Sequence, residues 1–266
     1  MRLKLKTPAT FQDEIVPKGT QLAGWAALVQ ALGLHSPVRQ PSCVSEKHIL
    51  GSQREEGGFR VFDKRYQPGD QFTDHLTFAL RHENIDLLLL KRAFEAVPKT
   101  ALEAYVRATP TGTHTRRAWF FYETLTGQTL GIDDAANVKA VDALDPKAYF
   151  TGKAKLSRRH KVRDNLLGSG DWCPVIRRTE QLEASTALGL ADRAAETVGR
   201  TGQHLVTRAA SFLLLADSRA SFEIEGERAP RNRLERWGKA VLQAGKNALT
   251  LEEITRLHSV LIEDVR

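Results

Sequence analysis

The stretch DHLTFALRHENIDLLLLKRAFEAV, residues 74–97, decides the fold of this 266-residue chain. Its apolar residues return every three or four positions, which is the period of a helix with one buried face. Pro98 follows at once, and proline cannot continue a helix. We therefore predict one or two core helices, with a buried face formed by Leu76, Phe78, Ala79, Ile85, Leu88, Leu89 and Phe94.

The regions on either side of this stretch are less regular. Shorter helices are predicted at 100–108 and 115–126, because turn-rich residues separate them and a glycine closes the second. Prolines and glycines punctuate the first seventy residues, where the pattern favours a short helix within 19–34 and a brief strand within 59–66. Residues 131–174 have few periodic signals and predict short strands or loops.

Beyond residue 178 the helical period returns. One helix there has an apolar stripe of Leu205, Val206, Ala209, Phe212, Leu213 and Ala216. Thr250 and Glu253 form a capping box at the start of the last helix. The predicted core face of that helix is Leu251, Ile254, Leu257 and Leu261.

These patterns predict a mainly α protein with two regions. Residues 1–178 are expected to be mixed but mostly helical, with an irregular start and possible short strands. Residues 179–266 are expected to be a helical segment. The last helix runs into Arg266 without a stop signal, which suggests a piece of a longer protein.

The composition narrows the classes of function. Hydrophobic residues at 41% and charged residues at 27% are typical of a soluble globular protein. The net charge of +7 suits nucleic acid, an anionic membrane or phosphorylated small molecules, and selects none of them. Two cysteines are too few for a disulfide framework, which indicates a reducing, cytoplasmic compartment. Without an 18-residue apolar run or a secretory signal, we expect no membrane partner.

A search for catalytic patterns excludes several enzyme classes. The sequence has no Walker A phosphate loop, no GxGxxG fingerprint, no HExxH zinc helix and no GxSxG nucleophile elbow. His82 and Glu83 begin like a zinc helix, but Asp86 stands where the second histidine is required. No histidine lies at metal-ligand spacing from another ligand. We predict neither a metal site nor a catalytic residue in this chain.

A basic run occupies residues 153–163, and no acid interrupts it. It follows Tyr149 and Phe150, and cations clustered beside aromatic rings can neutralise phosphates and stack on bases. A solvated segment paired with acidic residues elsewhere explains the run equally well. The candidate contacts to nucleic acid or another anion are Lys155, Arg158, Arg159, Lys161 and Arg163.

The segment SFEIEG, residues 221–226, follows the apolar stripe directly. Ser221 and Glu225 are four residues apart and share one helix face, and Gly226 supplies the left-handed residue that ends the helix. Phe222 and Ile224 are expected to anchor this turn to the core. Taken locally, the pattern also fits an ordinary helix end with a solvated glutamate.

This segment resembles the inhibitory helix of the Fic family, whose pattern is Ser or Thr, three residues, Glu, and then Gly or Asn. The neighbouring sequences LLLADS at 213–218 and LEEITRLH at 251–258 are similar to the N-terminal stretch of the same family. The resemblance covers roughly residues 200–266. Residues 1–178 more loosely resemble the N-terminal extensions of some bacterial Fic proteins, which implies no chemistry there.

The resemblance implies a regulatory role rather than a complete enzyme. Fic enzymes transfer AMP from ATP to protein hydroxyls through the motif His-x-Phe-x-Asp/Glu-Gly-Asn-Gly-Arg-x-x-Arg, and the 266 residues do not contain even an Asn-Gly pair. Residues 179–266 would then be the start of a truncated Fic domain. Glu225 would pair with the last arginine of a downstream Fic core and exclude the γ-phosphate of ATP.

That family assignment also implies cofactors and partners. ATP and Mg²⁺ are expected in the full-length protein and not in this piece, and the partners would be the downstream core in cis and an unidentified protein substrate. Two alternatives remain open from the sequence. One is a nucleic-acid or partner-binding module that uses the basic run, and the other is a helical scaffold that forms a homodimer.

Overall fold

The computed structural model describes residues 1–169, 172–224, 226, 228 and 231–262. The chain divides into two compact units, Met1–Glu180 and Gln181–Arg266, and each unit is considered by itself.

Five helices form the frame of the first unit. Their bounds are Gly24–Leu32 (α1), Phe72–His82 (α2), Leu87–Glu95 (α3), Lys99–Ala108 (α4) and Thr113–Thr126 (α5). The deciding stretch forms α2 and α3, so the prediction of core helices there is confirmed. Asp86 separates them, because its side chain accepts the Leu89 amide at 3.0 Å and caps α3. Of the predicted buried face only Leu88 is exposed.

Short strands fill the first half of this unit. Their bounds are Thr10–Phe11 (β1), Glu14–Ile15 (β2), Thr20–Ala23 (β3), Ser42–Ser45 (β4), Gln53–Glu56 (β5) and Phe59–Phe62 (β6). β1 and β2 form a small antiparallel pair. The other four form a sheet in the order β3-β4-β6-β5, in which only β4 and β6 run parallel.

A second group of strands follows α5. Their bounds are Val141–Asp142 (β7), Tyr149–Phe150 (β8), Lys155–Ser157 (β9), Val162–Asp164 (β10) and Ile176–Arg177 (β11). They form a three-stranded sheet, β7-β10-β9, and the pair β8 and β11. The basic run therefore lies on the antiparallel hairpin of β9 and β10.

The prediction of a mainly α protein is wrong. The described residues hold eleven strands in four sheets, which makes the fold mixed α and β. Each strand has only two to four residues, and so few residues per face cannot establish a period-two pattern. β4 adds a second reason, because the sequence SCVS is buried along its whole length and has no exposed alternate residues.

The segment between α2 and α3 holds α1 in place. Glu83 accepts the Trp25 amide at 2.7 Å, and the Trp25 indole donates to the Asn84 carbonyl at 2.9 Å. A carboxylate at the start of a helix stabilises the unpaired amides there. Burial nevertheless raises the pKa of Glu83 to about 7, outweighing the hydrogen bond from Trp25 and the charge of Arg60.

The described part of the second unit is helical, with five helices. Their bounds are Glu180–Ala187 (α6), which starts at the last residue of the first unit, Leu190–Arg200 (α7), Gln203–Ile224 (α8), Arg231–Val241 (α9) and Leu251–Ile262 (α10). α8 and α9 pack closely at Gly238, which has no side chain. A Cβ added there would lie 3.3 Å from Leu214. None of the described helices combines the length and the apolar character needed to cross a bilayer.

Gly24→Ala should destabilise the first unit strongly. Gly24 has a φ of +55°, and a Cβ there would overlap the Glu83 carboxylate. Gly33, at the other end of α1, has a φ of +64° but open space around it, so Gly33→Ala tests backbone strain alone. We expect losses in the free energy of unfolding of about 3 kcal/mol for Gly24→Ala and about 1 kcal/mol for Gly33→Ala, from urea titrations. Equal losses would contradict the contact with Glu83.

His75→Phe should make the free energy of unfolding less dependent on pH below neutrality. His75 is fully buried, and burial lowers its pKa to about 4. As the pH falls below about 6.5, the unfolded chain takes up a proton before the folded chain does, so the free energy of unfolding decreases down to about pH 4. Between pH 7.5 and 4.5 the variant should lose about 2 kcal/mol less than the parent in urea titrations. Parallel profiles would refute a buried, neutral His75.

Candidate functional site

The segment that resembles an inhibitory helix lies at the end of α8. Ser221 belongs to this long helix and not to a separate short turn, and its hydroxyl donates to the Asp217 carbonyl at 3.0 Å. Gly226 has a φ of +74°, which is the left-handed conformation expected of a helix stop. Glu225 lies outside the described residues, so its predicted role stays a prediction.

The two apolar residues of the segment differ in their surroundings. Phe222 is half-buried, and the guanidinium carbon of Arg233 lies 4.8 Å from the centre of its ring. This cation–π contact joins the end of α8 to α9. Ile224 is 85% exposed and has no core around it. The packing of Phe222 and Ile224 against a core therefore stays a prediction.

An apolar face of α8 is open to solvent. The predicted stripe contains Leu205, Phe212 and Leu213, and all three are exposed, Phe212 by 73%. The described core face of α10 is also open at Leu251 and Ile254. Apolar side chains aligned on one helix face usually mark a surface that contacts another element.

The start of α10 realises half of the predicted capping box. The Glu253 amide donates to the Thr250 hydroxyl at 3.3 Å. The Glu253 carboxylate does not accept the backbone amide of Thr250, which is the other half of a capping box. It accepts hydrogen bonds from the Asn247 side-chain amide at 3.1 Å and from Arg256 at 2.6 Å. These bonds lower the pKa of Glu253 to about 2, first through Arg256 and then through Asn247.

In the structure, some cations of the basic run are bound to carboxylates and the others are not part of such an ion pair among the described residues. Lys155 and Arg158 are exposed, and Lys161 is half-buried with a φ of +50°. Arg163 is bound to Asp142, with distances of 2.6 and 2.8 Å. Arg159 is bound to Glu123 and lies 4.9 Å from the ring centre of Trp119. The candidate anion contacts therefore do not form one continuous free surface.

A buried network around Glu123, on α5, explains this separation. Its carboxylate accepts the Trp119 indole at 2.8 Å, the Leu130 amide at 2.9 Å and the Arg159 guanidinium at 3.0 Å. Burial raises the pKa of Glu123, but these bonds outweigh burial and leave the pKa lowered. The sequence did not indicate Glu123, because 36 residues separate it from Arg159.

The same network contains a serine, a histidine and a glutamate in contact. His160 lies 2.7 Å from the Ser157 hydroxyl and 3.0 Å from the Glu123 carboxylate. Arg159 already neutralises that carboxylate, and the His160 ring packs edge-on against Trp119 and Phe120. Burial lowers the pKa of His160. The arrangement fixes the β9–β10 hairpin to α5 and leaves the His160 side chain 8% exposed.

The comparisons with known proteins give no family. No family model, curated protein or solved structure matches this chain. Within the described ranges, no group of three or more histidine, cysteine or acidic side chains is placed to hold a metal ion.

Arg159→Ala should cost far more stability than Arg158→Ala. Arg159 is paired with a largely buried carboxylate, and removing it leaves Glu123 without its cation, whereas Arg158 is its exposed neighbour. We expect a loss of about 2–4 kcal/mol for Arg159→Ala and a change within about 0.5 kcal/mol for Arg158→Ala, measured by urea unfolding. Similar values for the two variants would show that the Glu123 network does not stabilise the fold.

Proposed function

We propose that this chain is the N-terminal regulatory part of a Fic-type protein adenylyltransferase. The observation that carries the proposal is the pattern at residues 221–226. In the sequence a serine and a glutamate stand four positions apart, and a glycine follows the glutamate. Ser221 lies near the end of the long helix α8, and Gly226 is in the left-handed conformation. We also propose a cytoplasmic location, where ATP is abundant.

In this proposal Glu225 prevents a productive pose of ATP. A guanidinium binds carboxylate and phosphate through the same bidentate fork. A carboxylate on the last arginine of the Fic motif therefore competes with the γ-phosphate, and its charge repels the nucleotide. ATP and Mg²⁺ would be bound by a Fic core later in the same protein, and the acceptor would be a hydroxyl of a protein substrate.

The open faces of α8 and α10 support the same proposal. Phe212 and Leu213 on α8, and Leu251 on α10, leave apolar surface exposed, which is unfavourable unless another element covers it. A Fic core packed on these helices would bury that surface and hold residues 221–226 at its nucleotide site. A second copy of the chain would bury it equally well, and light scattering distinguishes this scaffold alternative.

The nucleic-acid alternative has less support. Arg159 and Arg163 contribute their charge to ion pairs within the fold, so only part of the basic run is free to meet phosphates. Lys155 and Arg158 remain exposed. DNA binding that weakens steeply with salt and is lost on replacing these two residues would favour the alternative.

Glu225→Gly should activate AMP transfer in the intact protein. The matched control is Glu223→Gly, which removes a carboxylate two residues earlier on α8, outside the serine-to-glutamate pattern. With labelled ATP, we expect Glu225→Gly to raise labelling of the protein and its targets by about tenfold or more. A tenfold change corresponds to a free energy of about 1.4 kcal/mol for the inhibition that Glu225 provides. Glu223→Gly should leave labelling near the parent value.

Equal labelling by the parent and both variants would sink the inhibitory role of Glu225. The 266-residue chain by itself should transfer no AMP, because its sequence lacks the catalytic motif. AMP transfer by the isolated chain would overturn the proposal that this chain is regulatory and that a downstream Fic core is catalytic.

A further inference from the structure

A groove of about 580 Å³ opens beside the first residue of α5. One wall comes from α5 itself, and the other comes from the segment that leads into β7 and from β10. Its polar lining includes Thr113, Arg116, Arg117, Lys139, Asp142 and Arg163. This volume lies within the range of small-molecule sites.

The groove has an excess of positive charge. Four cationic side chains and two carboxylates line it, which leaves an excess of two charges. Asp142 is neutralised by Arg163 through two short bonds. The Asp145 carboxylate lies near Arg117 and accepts the Lys147 amide at 2.9 Å. The excess charge therefore belongs mainly to Arg116 and Lys139.

Arg116 is a buried cation on α5. Its residue surface is only 3% exposed, and its guanidinium donates to the Lys139 and Lys161 carbonyls at 3.1 and 2.8 Å. No carboxylate among the described residues pairs with it, and its Nε has no acceptor there. Burying an uncompensated charge is costly, and a bound anion would remove much of that cost.

The start of α5 adds to the positive potential. Gly112 is the N-cap, no side chain caps the helix, and the first turn contains no acid. The unpaired amides at a helix N-terminus attract anions. Arg116 and Arg117 follow directly, although cations are unfavourable at this end of a helix. Thr113, the first residue of α5, lines the groove.

We propose that this groove binds the phosphate group of a phosphomonoester. A phosphomonoester carries close to two negative charges at neutral pH, which matches the excess in the groove, whereas each phosphodiester of a nucleic acid carries one. Val138, Ala140 and Val141 give the groove an apolar side for the organic part of the ligand. The site is independent of Glu225 and of AMP transfer.

The test uses the 266-residue chain with inorganic phosphate, glycerol phosphate and AMP as separate probes, titrated by calorimetry. We expect millimolar or tighter binding, and the binding of the two esters should weaken as the pH falls below about 6 because their dianions are protonated. In amide NMR spectra, the signals of residues 113–115 should shift during the titration. Tighter binding of the two esters than of phosphate would support the apolar side, and equal binding would assign the site to the phosphate group alone.

Variants separate this site from general attraction to a basic protein. Lys139→Ala removes an exposed groove cation, and Lys153→Ala removes an exposed lysine that does not line the groove. We expect Lys139→Ala to weaken phosphate binding by about fivefold to tenfold and Lys153→Ala to leave it unchanged. Arg116→Gln should abolish it. No binding at about 10 mM phosphate, or equal effects of the two lysine variants, would overturn the proposal.

Discussion

Arginines on α5 and in the segment that follows it hold the second half of the first unit together. The segment after α5 contains strands of only two or three residues, and pairing between strands this short is not stable by itself. Arg116 and Arg117 on α5 donate to backbone carbonyls of that segment, and Arg159 reaches back from the segment to Glu123. These charged hydrogen bonds act together with apolar packing, because Leu144, Tyr149 and Val162 of the segment are buried in the same core as α2 and α3.

Because these arginines are paired within the fold, the net charge does not describe the charge of the surface. A charge of +7 would ordinarily suggest a basic surface for nucleic acid or membrane. Several of the arginines instead form hydrogen bonds and ion pairs within the fold. The basic run at 153–163 is divided between such paired arginines and exposed side chains. The electrostatic feature most suited to a ligand is the groove at the start of α5. Of the basic run, the groove contains Arg163.

The sequence was informative where a single helix buries one face. It predicted the helices of 74–97 and the end of α5 at Gly127, because helical periodicity and left-handed glycine stops are local properties. It failed for the strands, which are too short to have a period, and for Glu123 and Arg116, whose partners lie far away in the chain. It identified the segment at 221–226 by pattern. It did not predict that Ile224 and the stripe on α8 would be exposed, since a pattern does not tell whether a partner is present.

The contact between Gly24 and Glu83 has an evolutionary consequence. Residue 24 has no room for a side chain as long as residue 83 places its carboxylate there, and the two positions are 59 residues apart in the chain. Neither residue can change freely without the other. Sequences that descend from the same ancestor should keep the glycine and the acid together or replace both, so that this pair records common ancestry even where the surface has diverged.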